Sequence, residues 1–566
     1  MSDESREEYK LFEEKKEEMK PIFDRMGVDE ALYLLKPFKM MQLDGKKEME
    51  DVANTTLPDA LIYVQKGISI LGGATRQTII EGRGLSDTKT NTIEQFLKDI
   101  FYMVDENLPK RKIPGLDAFL NEQLGIRGRI AARICMRIDK ERGLIPDVLP
   151  IDTRCYTDDI DGNDLVWAAP WFRQSKAQIE REYTKPGDRA VKIEKYAEVV
   201  DFWDSEKNVI FIDKQIVREQ PNPYGYVPFV CVICPTGSTL GTEDAIEHQG
   251  ESLLWANRDL WDKKNEAITI LRTLNIDSLF RALQYESSHG ENMPKPEKSP
   301  YKQKTVHGVE KGGGYKFMPI ADIKNATSLY YSVLETSLQR GSLSAIDYGT
   351  LQFPLSNIAI TQLTGSRNDI FAPRVNTKAW FYQAISGMSI KQCIQLDEKL
   401  ELGKEGSKNN YTKADLEGDY SIEYTFRTMS KEQLMADLQF AVAARGILPD
   451  DYIVREIIRA ENPTGLLTQL RAERAEKIDE VLFLFNSGKS LLEEKNGQKP
   501  TIADQIGARI LRDRIGTILK QRRAMGQLSP IEGQVKEEGT QKKEAVEQLL
   551  KGGGGRATKE EGEPNA

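Results

Sequence analysis

Three short runs in this 566-residue chain have residue types and spacings that could do chemistry. Gly488-Lys489-Ser490 ends a nucleotide-binding loop pattern, in which backbone N–H groups wrap the phosphates and the lysine reaches them. Phe483 stands where the first glycine of that loop must be, so the run reads as a helix C-terminus capped by Gly488. Asp159-Ile160-Asp161-Gly162-Asn163 opens like a calcium loop. Its glycine comes fourth, not sixth, and Pro170 falls where the bidentate glutamate belongs. Cys231-Val232-Ile233-Cys234 has the spacing of half a zinc site. No second cysteine or histidine pair lies near it, and the run from Pro228 reads as a buried strand. His248, His289 and His307 are the only histidines, too few for a multi-histidine metal site or a histidine-based triad. Asp158, Asp159, Asp161 and Asp164 form the densest acidic group and read as a solvated turn. The expectation is therefore a non-enzyme with no catalytic residue, no metal and no cofactor.

Basic residues that could meet phosphate fall in two places. Arg258, Lys263, Lys264 and Arg272 lie on an expected long helix. Arg509, Arg512, Arg514, Lys520, Arg522 and Arg523 lie on a C-terminal helix with an apolar stripe of Ile502, Ile506, Ile510, Ile515 and Leu519. The first set reads equally as groups facing DNA or as ion pairs with neighbouring helices. The second reads as a DNA-facing patch or as a solvated helix face. The formal net charge of −9 makes the chain as a whole a poor phosphate binder, because that affinity comes from cations displacing counterions.

The elements that must position these residues can be read from pattern. Apolar residues at 39% and charged residues at 30% allow an ordinary core. The length suggests about three or four structural units. Five cysteines suggest a reducing compartment without disulfides. No apolar run approaches the ~20 residues that span a bilayer, and the charged start is unlike a secretory signal, so a soluble, cytoplasmically made protein without a membrane partner is expected.

Residues 1–26 read as an exposed, mixed-charge helix, and 28–145 as mostly helical. Ile93, Phe96, Leu97, Ile100 and Phe101 share one helix face, and a second helix is expected over Phe119–Ile138. From Pro150 to Pro235, strand-like runs at Leu165–Trp167, Glu198–Trp203, Asn208–Ile212 and Val227–Ile233 alternate with turns. Glu243–Asn275 reads as one long helix, with heptad columns Leu253/Leu260/Ala267/Leu274 and Leu254/Trp261/Ile268. Prolines and glycines interrupt 276–321, where strands are expected at Lys304–Val309 and Tyr315–Met318. A helix follows over Asp322–Arg340, with Ala326, Leu329, Tyr330, Val333, Leu334 and Leu338 on one face. After a loop, Asn357–Gln395 is helical, bent or broken at Gly365 and Pro373. Tyr420, Ile422, Tyr424 and Phe426 alternate as a strand. Helices are expected over Asp450–Ala460, Thr464–Phe485 and Thr501–Met525, and disorder from Ser529. The fold class is α+β, mainly helical.

This order of elements resembles the tailed-bacteriophage portal (head-to-tail connector) family over roughly residues 50–525. Three places carry the resemblance: Pro223-Tyr224-Gly225-Tyr226-Val227-Pro228-Phe229-Val230 leading to the helix from Glu243; the stretch Ile323–Pro354; and Ser356-Asn357-Ile358-Ala359-Ile360-Thr361-Gln362-Leu363. The resemblance implies a wing over 1–242, stem helices over 243–275 and 322–340, and a clip over 276–321. It implies a tunnel loop over 341–357, a kinked helix and wing return over 358–460, a crown over 461–528 and a disordered tail over 529–566. It also implies a homo-oligomeric ring, usually of twelve subunits, at one capsid vertex of the virion. Double-stranded DNA would pass through it during packaging and ejection. The terminase large subunit and then tail adaptor proteins would dock on it, and the major capsid protein would surround it. The tunnel loop would offer Asp347, Thr350, Gln352, Ser356 and Asn357, with no Lys or Arg, as weak contacts that let DNA slide. The alternatives are another virion internal-core or connector protein, or a nucleotide hydrolase, against which the missing phosphate loop argues.

Overall fold

A computed structural model describes residues 4–279, with gaps at 43, 140–142, 184–187, 190–192, 239 and 241. It also describes 283–286, 314–317, 324–341, 357–485 (except 429–430, 446 and 480), 487 and 509–524. Among these residues the fold is α+β, and none of its sheets closes into a barrel. Residues 1–467 form one compact unit and 468–566 a second.

The first unit opens with helices α1 (Glu4–Glu18) and α2 (Lys20–Tyr33). The sequence reads this stretch as exposed; the structure corrects that. Phe12 and Met26 are fully buried, and Met19 and Ile22 nearly so. Phe12 sits with Trp167, Phe202, Val209 and Phe211 on one sheet, while Lys16, Glu8 and Glu13 pair with Glu198, Lys207 and Lys214 around it. Two aromatics among many charges, Tyr9 and Phe12, give no visible stripe, yet Phe12 fills a pocket that the sheet supplies.

Next come α3 (Asp59–Gly72), β1 (Ala74–Glu81), α4 (Asp87–Asn107) and α5 (Leu116–Ile126). Ser86 caps α4 by accepting from the Lys89 N–H, and α4 buries the expected Ile93, Phe96, Leu97, Ile100 and Phe101. The helix expected over Phe119–Ile138 stops at Ile126. Gly128, at φ +68°, turns the chain into β2 (Arg129–Asp139). β2 is the central strand of a sheet ordered β3-β2-β9, with β3 at Gly143–Ile151 and β9 at Phe229–Ile233. Its apolar residues are covered on both faces, so its sequence lacks the alternation that marks a strand.

A second, five-stranded antiparallel sheet runs in chain order: β4 (Tyr156–Asp161), β5 (Asp164–Ser175), β6 (Tyr196–Asp204), β7 (Lys207–Ile212) and β8 (Gln215–Pro221). Helix α6 (Lys176–Glu182) interrupts it after β5. The four strand runs read from the sequence lie in β5, β6, β7 and β9.

The long helix expected over Glu243–Asn275 is corrected most. Its first half is α7 (Glu243–Ile246), a turn in which Gly250 takes φ +64°, and a 3-10 turn at Trp255–Asn257. Only Arg258–Leu279 forms the helix, α8. Leu253 and Leu254 are buried, but in the body's core beside α3, α5 and β2 rather than on a helical seam. Apolar spacing recorded burial here and not helicity.

Beyond α8, β10 (Leu283–Glu286) pairs antiparallel with β11 (Gly314–Phe317), and α9 (Lys324–Arg340) returns. The strand expected at Lys304–Val309, the loop 342–356 and the tail from Ser529 lie outside the described residues. Helix α10 (Asn357–Leu396) runs through Gly365 and Pro373 without a break. It packs across β14 (Ser421–Thr428), which pairs with β1 in register from Ala74↔Thr428 to Glu81↔Ser421. The β12 (Leu400–Lys404) and β13 (Ser407–Tyr411) hairpin, the short helix α11 (Lys413–Leu416) and α12 (Lys431–Ala444) complete the labelled elements. The helix expected over Asp450–Ala460 is a short α-turn followed by a π-helical stretch, Ile453–Ile458. In the second unit a π-helical stretch, Ile510–Arg514, leads into a helix over Ile515–Ala524.

Candidate functional site

Helices α8 and α9 lie antiparallel, as the contacts along them require. Asn257 Nδ2, just before α8, donates to the Leu338 carbonyl at the end of α9. Two turns on, Lys264 Nζ meets Glu335 at 2.8 Å and lies over the Tyr331 ring. Gly341 closes α9 against the Asn257 side chain, where a Cβ would collide. Leu334 and Leu338 are buried against the rest of the chain. Since Tyr331, Leu334, Glu335 and Leu338 take the near face, helical geometry turns Leu329, Tyr330 and Val333 away from α8. They are 70%, 47% and 55% exposed. The expected single apolar face of α9 is thus split between an inner and an outer side.

The root of this two-helix rod is a buried ionic cluster. Asp29 on α2 and Glu251 before the 3-10 turn are both fully buried. Arg258 bridges them: its Nε and Nη2 donate to Asp29, and Nη1 and Nη2 to Glu251. Arg25, one turn before Asp29, donates to the carbonyls of Glu247, Gln249, Arg127 and Gly250 and lies 3.6 Å from Glu251. His248 Nδ1 is 2.8 Å from the same carboxylate. From α10, Arg374 donates to the Glu251 and Leu124 carbonyls. Burial alone would raise the Glu251 carboxyl; Arg258, Arg25 and His248 overcome it and hold it below the usual carboxylate range. Two guanidiniums against two carboxylates leave the Arg25–Asp29–Glu251–Arg258 core formally neutral, the condition under which charges survive burial. Such a cluster positions elements and leaves little chemistry to spare.

The residues singled out from sequence divide accordingly. Arg258 belongs to the root cluster. Lys264 is buried between Asp59 and Glu335. Arg272 is exposed but donates to the Asn54 carbonyl and Thr55 Oγ1. Lys263 projects into solvent. The ion-pair reading therefore describes Arg258 and Lys264 within the subunit. Asp347, Thr350, Gln352 and Ser356 lie outside the described residues. Asn357 is the first residue of α10, and its side chain is outside them too. In the second unit Arg509 and Arg512 are exposed, and Arg522 forms a two-pronged pair with Asp479 at 2.8 and 2.9 Å. Arg523 is helical, with its side chain outside the described residues.

The acidic turn is solvated at Asp159, Asp161 and Asp164. Asp158 departs from that reading: it is buried 3.7 Å from Arg129, and burial raises its carboxyl despite that cation. Cys231 lies in β9 as expected; it is half-buried, and burial pushes its thiol up to about 12, which suits an unreactive thiol. Arg25, Asp29 and Glu251 were missed. The sequence signal they offered was charge within stretches that read as helix. Among the described residues no group of three His, Cys, Asp or Glu could hold a metal ion, and no helix is long and apolar enough to cross a membrane.

The class these features define is an α+β body carrying an antiparallel helical rod gripped by a buried charge cluster. No protein-family model matches the chain, and no curated protein matches it. Among solved structures, a chain from the virion of a native gene transfer agent particle is similar to it with a TM-score of 0.37 and 11% identity, over 71% of this chain and 89% of that one. A likeness at that level carries no conclusion about function.

Proposed function

We propose that this chain is a virion structural protein of portal type, the subunit of a ring through which double-stranded DNA is packaged and ejected. The observation that carries the reading is the outer stripe of α9. Leu329, Tyr330 and Val333 are large apolar groups on a rod that leaves them uncovered within the subunit. Contiguous apolar surface of that kind marks a contact with another molecule. A repeated head-to-tail contact between identical copies closes into a ring under cyclic symmetry. Rods standing side by side around an axis would cover one another's stripes.

In this reading residues 276–321 dock the terminase large subunit and later the tail adaptors, and the body faces the major capsid protein. Lys263 and the loop residues Asp347, Thr350, Gln352, Ser356 and Asn357 would touch DNA weakly and without sequence preference. The acidic net charge suits a channel in which DNA must slide. The arrangement calls for no catalytic group, metal or cofactor. Negative-stain class averages of the purified full chain test the reading. Annular particles with a central hole are expected; monodisperse monomers at every salt concentration overturn it.

A further inference from the structure

Residues 36–57 leave α2 and return to α3 along the side of the rod. The outgoing leg is tied to the return leg by side chains: the Phe38 N–H donates to Thr56 Oγ1 at 2.8 Å, and the Met40 N–H to Asn54 Oδ1 at 3.0 Å. The return leg then lies on α8 through a ladder of three hydrogen bonds. The N–H groups of Ala53, Thr55 and Leu57 donate to Thr273 Oγ1, Thr269 Oγ1 and Asn265 Oδ1 at 3.1, 3.0 and 2.9 Å.

The spacing explains the ladder. Alternate residues of an extended chain advance about 6.6 Å, and four residues of a helix about 6.0 Å, so two-residue steps on one match four-residue steps on the other. Thr273 is polarised for this task. Its hydroxyl proton goes to the Thr269 carbonyl at 2.9 Å, which leaves its oxygen free to accept from the strap. Arg272 adds contacts to the Asn54 carbonyl and Thr55 Oγ1. Asn265 and Thr269 are buried beneath the strap, yet no residue described between Met41 and Pro58 is itself buried. The strap's anchors to α8 are polar, and its apolar side chains Phe38, Val52 and Leu57 are half-buried with none in the core, which is the composition of a segment that opens before the core does.

We infer that residues 36–57 form a releasable strap that pins the middle of α8 to the body. The rod is held near its root by Asp29 and Glu251 on Arg258, by Trp261 in the core and by Asp59 on Lys264, and further out by the strap on Asn265, Thr269 and Thr273. Release of the strap leaves polar groups that water can satisfy and keeps the root intact, so the rod gains freedom to tilt while the body stays folded. The inference does not depend on the ring reading.

Hydrogen–deuterium exchange on the full chain, resolved to single amides by electron-transfer fragmentation, tests it. In the wild-type chain the amides of Ala53, Thr55 and Leu57 are expected to exchange at one common rate, faster than those of β2. In T269V/T273V, where Val keeps the shape and removes the acceptors, the Ala53 and Thr55 amides are expected to exchange about tenfold faster or more, with β2 unchanged. Wild-type strap amides as slow as β2, or unchanged strap protection in the double variant, overturn the inference. If the variant loses β2 protection as well, the wild-type rates decide alone.

Discussion

Asp29 and Arg258 stand 229 residues apart and meet as a two-pronged ion pair, Nε and Nη2 donating to the two carboxylate oxygens at 2.7 and 3.1 Å. Arg258 is the first residue of α8, and Asp29 is a fully buried acid on α2, in a stretch the sequence reads only as helical. The pair ties the start of the rod to the start of the chain. Glu251, on the guanidinium's other edge, adds the turn that feeds the rod.

Removing Arg258 leaves two fully buried carboxylates sharing Arg25. Arg258→Met is expected to cost about 3–5 kcal/mol of unfolding free energy, read from urea denaturation. Arg258→Lys should recover only part of that, because a point charge cannot serve both carboxylates with forked geometry.

Glu94 gives a pH signature. It is 3% exposed, accepts from Thr464 Oγ1 at 2.9 Å, and has a second carboxylate oxygen buried without a partner. Burial raises it from 4.5 to about 7. The folded state therefore holds this proton more tightly than the unfolded state. The associated stability is complete below about pH 4.5 and is lost as pH rises through about 7. Glu94→Gln is expected to flatten that part of the stability–pH curve, a difference of up to about 3 kcal/mol at pH 8. Parallel slopes for the two proteins in denaturation series would contradict the assignment.

In the proposed ring, the outer face of α9 separates folding from assembly. L329E/V333E places charge on exposed positions and should leave circular dichroism and melting temperature within a few degrees of wild type, while annular particles disappear from micrographs and sedimentation shifts to small species. Intact rings in this variant would remove the stripe from the interface.

Gly128 is set against Gly250 at the junction of α5 and β2. It sits at φ +68°, and a Cβ there would run into the Gly250 carbonyl. Gly128→Ala is expected to destabilise by about 3 kcal/mol or more, combining left-handed strain with backbone displacement. Gly162, also at positive φ but in open space at a hairpin tip, should tolerate alanine at only about 1–2 kcal/mol. Thermal melts of the two variants measure the contrast.

Much of the architecture was legible locally. The face of α4, the strands β5, β6, β7 and β9, and the start of α10 follow from periodicity and turn residues, because each is decided by neighbours a few positions away. The placement of Cys231 on a strand rests on the same kind of short-range pattern; the phosphate-loop reading at Gly488–Ser490 lies outside the described residues. Where the pattern was ambiguous it misled. Leu253 and Leu254 extended an apparent heptad that ends in the body's core, and β2, apolar on both faces, passed for helix.

The amino-acid sequence by itself determined the fold class and the mixed arrangement of helices and antiparallel strands. Only the tertiary structure decided that α1 and α2 bury one side each, that α8 begins at Arg258, that Arg258 and Lys264 face carboxylates, and that Thr269 and Thr273 receive a strap. The reason is range. Secondary structure is largely a local contest between propensity and period. A buried charge is tolerated only where a distant segment supplies its partner, and nothing near Asp29 in the chain announces Arg258.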